Sequence, residues 1–180
     1  ALTVSAVSAC GREAGRPAVG ESRGGDPALV STNVGAVRGV VASDHRLFAG
    51  IPYAAPPVGT LRLASPAPAA PWRGVRDATR AGPRCIQDSD ADFERGRNTS
   101  EDCLTLNVAV PVTGSGRARG PRGKKPVIVW IHGGAWISGS TANVDPYLRI
   151  LAAEGYTAIG VNYSVGPEET YPTAVNQLND

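Results

Sequence analysis

Residues 126–140 read PVIVWIHGGAWISGS. The opening PVIVWIH, 126–132, is a continuous apolar run, the mark of a central strand buried on both faces. Two glycines and an alanine follow at once, ahead of a helix. A turn of that composition can aim consecutive backbone N–H groups at one point that no long side chain crowds. The tetrahedral intermediate of acyl transfer needs donors of this kind, about 3 Å from the developing oxyanion and fixed before reaction. The plain alternative is a tight strand-to-helix turn with no ligand.

Downstream, NVDPYLRILAAEG predicts a helix with Asp145 as candidate N-cap, Pro146 at N1 and Gly155 at its end. Tyr147, Leu148 and Leu151 would share its apolar face. YTAIGVNY, 156–163, reads as another buried strand, and YPTAVNQLND starts a further helix with Pro172 near N1. Strand, helix, strand, helix is the α/β pattern of a parallel sheet.

Upstream, ALVST (28–32), GAVRGVVA (35–42) and HRLFAGI (45–51) predict short strands of an antiparallel meander. The Pro-rich stretch from Pro52 to Arg84 excludes regular helix through most of its length. Its Leu, Trp, Tyr and Val content predicts extended chain wrapped over a core, anchored by Trp72. LTLNVAV, 104–110, alternates and reads as a strand. GSGRARGPRGKK, 114–125, reads as an exposed loop joining two strands. Nucleic-acid binding would want interleaved aromatics within a basic domain, and neither is present.

The whole chain of 180 residues is 42% apolar and 19% charged, with a formal charge of +2. That suits one domain with a sizeable core and implies no polyanionic partner. The chain has no methionine and reads as a fragment. Its opening ALTVSAVSA-Cys10-Gly11 resembles the end of a bacterial lipoprotein signal, in which a lipid would attach to Cys10. The alternative is a buried strand with a structural cysteine. The glycine-rich stretch 11–27 reads as a flexible linker, and 28–180 as the folded portion. Within the linker, GESRG at 20–24 matches the G-x-S-x-G turn that presents a serine nucleophile. No buried strand precedes it and no helix pattern follows it, so Ser22 is not read as a nucleophile.

Three segments in order carry a family resemblance. FAGIPYAAPPVGTLRLASPAPAAPWRGVRDATRAGPRCIQ (48–87), SEDCLTLNVAVP (100–111) and IHGGAWISGS (131–140) resemble the type B carboxylesterases. The resemblance implies the N-terminal part of an α/β-hydrolase fold, incomplete, with antiparallel N-terminal strands leading into a mostly parallel sheet. It implies a serine ester hydrolase working through an acyl-enzyme, with a small-molecule carboxylic ester as substrate and no metal or cofactor. Gly134 and Ala135 match the positions whose N–H groups form the oxyanion hole, with Gly133 permitting the turn. Cys85 and Cys103 match a disulfide pair. His132 belongs to the motif as structural support through a ring hydrogen bond. Ala109 departs from the pattern, which favours a larger apolar residue there, and Ala135 replaces the commoner glycine. The tail NYSVGPEETYPTAVNQLND, 162–180, is closer to hormone-sensitive-lipase and feruloyl-esterase-like hydrolases.

In such enzymes the nucleophile elbow follows the HGGA loop, and the 180 residues end before that point. His45 reads as a solvated turn residue and not as a base. The expectation is therefore an oxyanion loop without nucleophile, acid or base, inactive by itself, in an extracellular or envelope-anchored parent. The rivals are a non-catalytic cholinesterase-like adhesion or binding protein, and an inactive truncated remnant.

Overall fold

The structure is a computed structural model that describes residues 25–87, 98–112, 124–166 and 171–179. Cys10, the GESRG motif and most of the basic loop at 114–125 lie outside the described residues.

The N-terminal strands are β1 (Leu29–Ser31), β2 (Ala36–Arg38), β3 (Val40–Val41) and β4 (His45–Pro52). The stretch 35–42, expected as one strand, parts at Gly39. β2 goes into a three-stranded sheet ordered β1-β2-β5, whose third member is β5 (Val75–Asp77). β3 goes into a five-stranded sheet with β4, β6 (Thr105–Pro111), β8 (Thr157–Val161) and β7 (Val127–Ile131), ordered β3-β4-β6-β8-β7. Its strands pair antiparallel from β3 to β8, and β8 pairs parallel with β7. The antiparallel strands thus lead into parallel pairing, reached across helix α1 (Asp145–Ala153). A second helix, α2 (Thr173–Asn179), follows β8.

The Pro-rich stretch runs mostly as extended chain, with a 3-10 turn at Gly59–Leu61 and one short strand, β5, that its composition had hidden. Trp72 anchors it as expected: its indole N–H donates to the Ala36 carbonyl at 2.8 Å, and its ring packs against the cluster of Val37, Phe48 and Ala78. Arg62, in the same stretch, forms an ion pair with Glu101. Cys85 and Cys103 are joined by a disulfide, with Cα atoms 4.9 Å apart.

The main core lies between the sheet and α1. Leu47, Ala49, Ala109 and Ala158 face Val144, Leu148 and Ala152. Ala109 and Ala158 are register partners on adjacent strands and both are fully buried. Small side chains there let the helix approach the sheet, which explains the departure noted at Ala109. Removing Leu148, which is also fully buried, would leave a void costing about 2–5 kcal/mol.

Three expectations need correction. Asp145 is the first helical residue and Val144 the N-cap; the Asp145 carboxylate instead accepts from the Asn107 side-chain amide at 2.8 Å. Tyr147 is exposed, lying on Trp130 with ring centroids 5.4 Å apart. β7 is an edge strand among the described residues: Val127, Val129 and Ile131 are 59%, 58% and 50% exposed. The physical reason is that α1 lies over the opposite face, and no described element covers this one.

Candidate active site

Open α/β sheets bind ligands beyond the carboxyl ends of their parallel strands. Here the carboxyl ends of β7 and β8 lie side by side, Ile131 opposite Val161. The HGGAWISGS loop leaves the first and the Asn162–Gly166 segment leaves the second.

The loop begins on His132, which is 3% exposed. Its ring stacks on that of Tyr163, with centroids 4.3 Å apart and planes 12° from parallel. The Tyr163 hydroxyl donates to the His132 carbonyl at 2.5 Å. His132 Nδ1 lies 2.9 Å from the Gly133 carbonyl, so the nitrogen facing that acceptor carries the ring proton. Burial lowers the ring's pKa below the usual 6.5, with the Gly133 hydrogen bond opposing it. A neutral imidazole whose proton is committed to the backbone holds the loop in place, the role expected of it.

The middle of the loop departs from ordinary backbone. Gly134, Ala135 and Trp136 have φ of 133°, 54° and 65°. The left-handed region is rare for alanine and an outlier for a residue as bulky as tryptophan. Each such residue costs on the order of 1–3 kcal/mol and persists only when its surroundings impose it. Gly134 makes the turn possible: a Cβ there would lie 1.8 Å from the Ser138 carbonyl oxygen. That close approach comes from a tight turn in which the Gly134 carbonyl accepts from the N–H groups of Ile137 and Ser138, at 3.0 and 3.1 Å. Gly133 has no such restriction, since a Cβ there would meet nothing within 4 Å. The turn therefore draws on Gly134, not on Gly133.

Among the described residues, no atom accepts a hydrogen bond from the N–H groups of Gly133, Gly134, Ala135 or Trp136. The loop then closes onto residues that no local motif marks. Gln87 pairs with the backbone of Gly139, its Oε1 accepting from the N–H at 2.9 Å and its Nε2 donating to the carbonyl at 3.0 Å. Ser140 and Asn143 form a reciprocal capping box. Thr141 N–H donates to Asn162 Oδ1 at 2.8 Å, and Asn107 donates to Thr141 Oγ1 at 3.1 Å. Asn107 also accepts from the Gly50 N–H at 3.0 Å. Tyr53 donates to the Asn162 carbonyl at 2.7 Å. Gln87, Asn107, Ser140, Thr141 and Asn162 are buried and partnered, with Tyr53 half-buried and Asn143 exposed at the rim, so each fixes the position of another. The N-Y pair after β8 was the nearest sequence signal to this foundation; the Asn107 and Gln87 contacts had none.

His45 is corrected as well. It opens β4, with a side chain only 13% exposed, and its Nδ1 lies 2.7 Å from the Asp44 carboxylate. That hydrogen bond lowers the Asp44 pKa. Through the strand register, Ile51 of β4, Leu106 and Val161 align with Ile131 beside the loop. His45, six residues earlier on β4, is about 20 Å away along the strand.

Antiparallel strands feeding a parallel pair, with an HGGA loop at the carboxyl edge, define part of an α/β-hydrolase fold. A PNB esterase of solved structure superposes with a TM-score of 0.66 at 39% identity, over 77% of this chain and 28% of that one. The sequence of the carboxylesterase family matches residues 26–167, and the chain belongs to that family. A medium-chain fatty acyl-CoA hydrolase precursor of Anas platyrhynchos is 37% identical across 91% of this chain and 29% of its own length. Carboxylesterase 3 of Homo sapiens is 42% identical across 76% of this chain and 26% of its own length. The chain thus spans somewhat over a quarter of the length of these relatives.

Proposed function

We propose that the protein to which this chain belongs hydrolyses small carboxylic esters through an acyl-enzyme, and that residues 133–135 supply its oxyanion hole. The observation that carries this reading is the set of N–H groups at Gly134 and Ala135. They have no acceptor among the described residues, yet sit in a strained turn held by buried hydrogen bonds. A ligand oxygen bearing negative charge would satisfy both. Donors held in place before reaction need no reorganisation as charge develops, and one such donor typically contributes roughly 3–4 kcal/mol to lowering the barrier.

In this mechanism a serine outside these 180 residues attacks the ester carbonyl. The carbonyl oxygen becomes an oxyanion between the N–H groups of Gly134 and Ala135, with a third donor from the residue after the nucleophile. A histidine, also outside these residues, takes the serine proton and passes it to the leaving alcohol. Water then repeats the cycle on the acyl-enzyme. Gly133 leaves space beside the reacting carbon because it carries no side chain.

The parent is further proposed to lie outside the cytoplasm or in the bacterial cell envelope, tethered through a lipid on Cys10, with 1–10 as the end of a signal, 11–27 as linker and 28–180 as part of the esterase domain. The Cys85–Cys103 disulfide supports an oxidising compartment. Among the described residues no helix is long and apolar enough to cross a membrane.

The test is p-nitrophenyl acetate and butyrate hydrolysis by the full-length protein, with a burst titrating one acyl-enzyme per chain. Residues 1–180 alone should show no turnover above background. Absence of turnover by the full-length protein would sink the esterase reading. Turnover by 1–180, abolished by Ser22→Ala, would sink the assignment of the nucleophile to another part of the parent.

A further inference from the structure

Gln87 lies two residues beyond Cys85, outside the loop, and is 8% exposed. Every hydrogen-bonding atom of its side-chain amide is committed. Oε1 accepts from the Gly139 N–H at 2.9 Å, and Nε2 donates to the carbonyls of Gly139 and Cys85, each at 3.0 Å. The amide thus grips Gly139 as a neighbouring strand would, while its third bond ties that grip to the segment crosslinked by Cys85 and Cys103.

Gly139 is where the loop closes on itself. A Cβ there would lie 2.4 Å from the Gly133 carbonyl oxygen and 2.6 Å from His132 Nδ1. The backbone of Gly139 is therefore packed against the first two residues of the loop, including the carbonyl that orients the His132 ring. Fixing Gly139 fixes the distance between the two ends of the turn, and so the curvature that residues 134–136 must adopt.

We infer that Gln87 is a positioning residue for the oxyanion hole, setting the geometry of the 133–136 N–H groups from outside the loop through Gly139. The inference rests on the oxyanion reading above. Gln87 touches no reacting atom; it acts by preventing the loop from relaxing out of its left-handed turn. Misplacement of catalytic donors by about 1 Å can cost on the order of 100-fold, so a residue controlling their placement governs kcat more than substrate binding.

The experiment uses the full-length enzyme with Gln87→Ala and Gln87→Glu. It measures kcat, KM, affinity for a trifluoromethyl ketone that mimics the tetrahedral adduct, and amide hydrogen exchange at Gly139. Gln87→Ala should lower kcat roughly 10- to 100-fold, with KM changed less than about threefold. Ketone affinity should fall by the same factor as kcat/KM, and exchange at Gly139 should accelerate. Gln87→Glu controls for folding, because it keeps the side chain's size and its acceptor for Gly139. Its carboxylate faces two carbonyl oxygens at pH 8, and protonation restores one donor. Its activity relative to wild type should therefore rise from pH 8 to pH 5. Wild-type kcat in Gln87→Ala, or a flat pH ratio in Gln87→Glu, would overturn the positioning role. Unchanged exchange at Gly139 would overturn the clamp itself. If the wild-type enzyme fails to bind the ketone, the oxyanion reading fails, and the positioning role falls with it.

Discussion

The two sides of the HGGA loop are built on opposite principles. Beneath it, His132, Tyr163, Thr141, Asn162, Asn107 and Gln87 are buried and tied to one another or to backbone by hydrogen bonds of 2.5–3.1 Å. Above it, Gly133, Ala135, Trp136 and Ile137 are exposed, and the first three have N–H groups with no acceptor among the described residues. The underside commits most of its polar groups to defining a shape, His132 Nε2 alone among the residues just named being buried without a partner, whereas the upper side leaves its donors free for a ligand. Backbone strain at Ala135 and Trp136 lies at the boundary, where the lower side imposes a conformation that the upper side would not adopt alone.

That contrast can be broken most severely at Gly134. Gly134→Ala places a Cβ into the Ser138 carbonyl at a left-handed φ, and should displace both donors. The full-length enzyme is expected to lose 100- to 1,000-fold in kcat, measured by steady-state ester hydrolysis after confirming a native circular dichroism spectrum. Full activity would remove these N–H groups from the mechanism.

The underside should show itself in stability. Asn107→Ala deprives the Gly50 N–H, Thr141 and the Asp145 carboxylate of a buried partner. A loss of about 3 kcal/mol is expected, read from the urea midpoint at constant m-value. A change below about 0.5 kcal/mol would mean that the network fixes nothing.

A smaller effect should follow from pH. Burial lowers the His132 pKa in the folded state, while the unfolded ring titrates near 6.5. Between those values the unfolded state binds more protons, so stability falls as pH drops below about 6.5. The lowered carboxylates Asp26, Asp44 and Asp77 act only below their ordinary 3.8. His132→Asn should therefore flatten the melting temperature between pH 6.5 and 4.5 relative to wild type. Parallel curves would contradict the buried neutral ring.

The mildest change should come from Gly133→Ala, whose Cβ enters open space. Stability should stay within about 0.5 kcal/mol of wild type in the same urea titration. Any fall in kcat/KM would then report crowding of the substrate, not damage to the loop. A large destabilisation would show that Gly133 is needed by the fold.

The strands, α1 and the loop's place after β7 were legible because local patterns specify them. PVIVWI has only apolar residues to bury, and DPYLRILAA combines a helix-starting Pro with an apolar stripe. β5 escaped notice because Val75–Asp77 is short and exposed, and its pairing with β2 depends on a partner about 40 residues away. Asn107 looked like an ordinary position in an alternating strand, and nothing local reveals that it bridges β4 to α1. Gln87 stands in the sequence only as part of a family pattern, since its partner at Gly139 is distant in sequence. His45 looked solvated because its turn is polar, although the strand it opens carries the ring inward. Local chemistry announces elements and donors; long-range polar contacts become visible only when the chain is folded.

Asp145 has a further consequence for motion. Its carboxylate sits in the first turn of α1 and holds Asn107 on β6, which in turn holds Gly50 on β4. Sliding α1 along its axis would break that chain of contacts, so shear of helix against sheet is an unfavourable way to admit a substrate. Residues 133–137 are held as well, the Gly134 carbonyl accepting from the Ile137 and Ser138 N–H groups and the Trp136 carbonyl from the Gly166 N–H. Adjustment to a ligand should therefore be confined to the exposed side chains of Trp136 and Ile137, while the loop backbone, helix and sheet beneath them stay still.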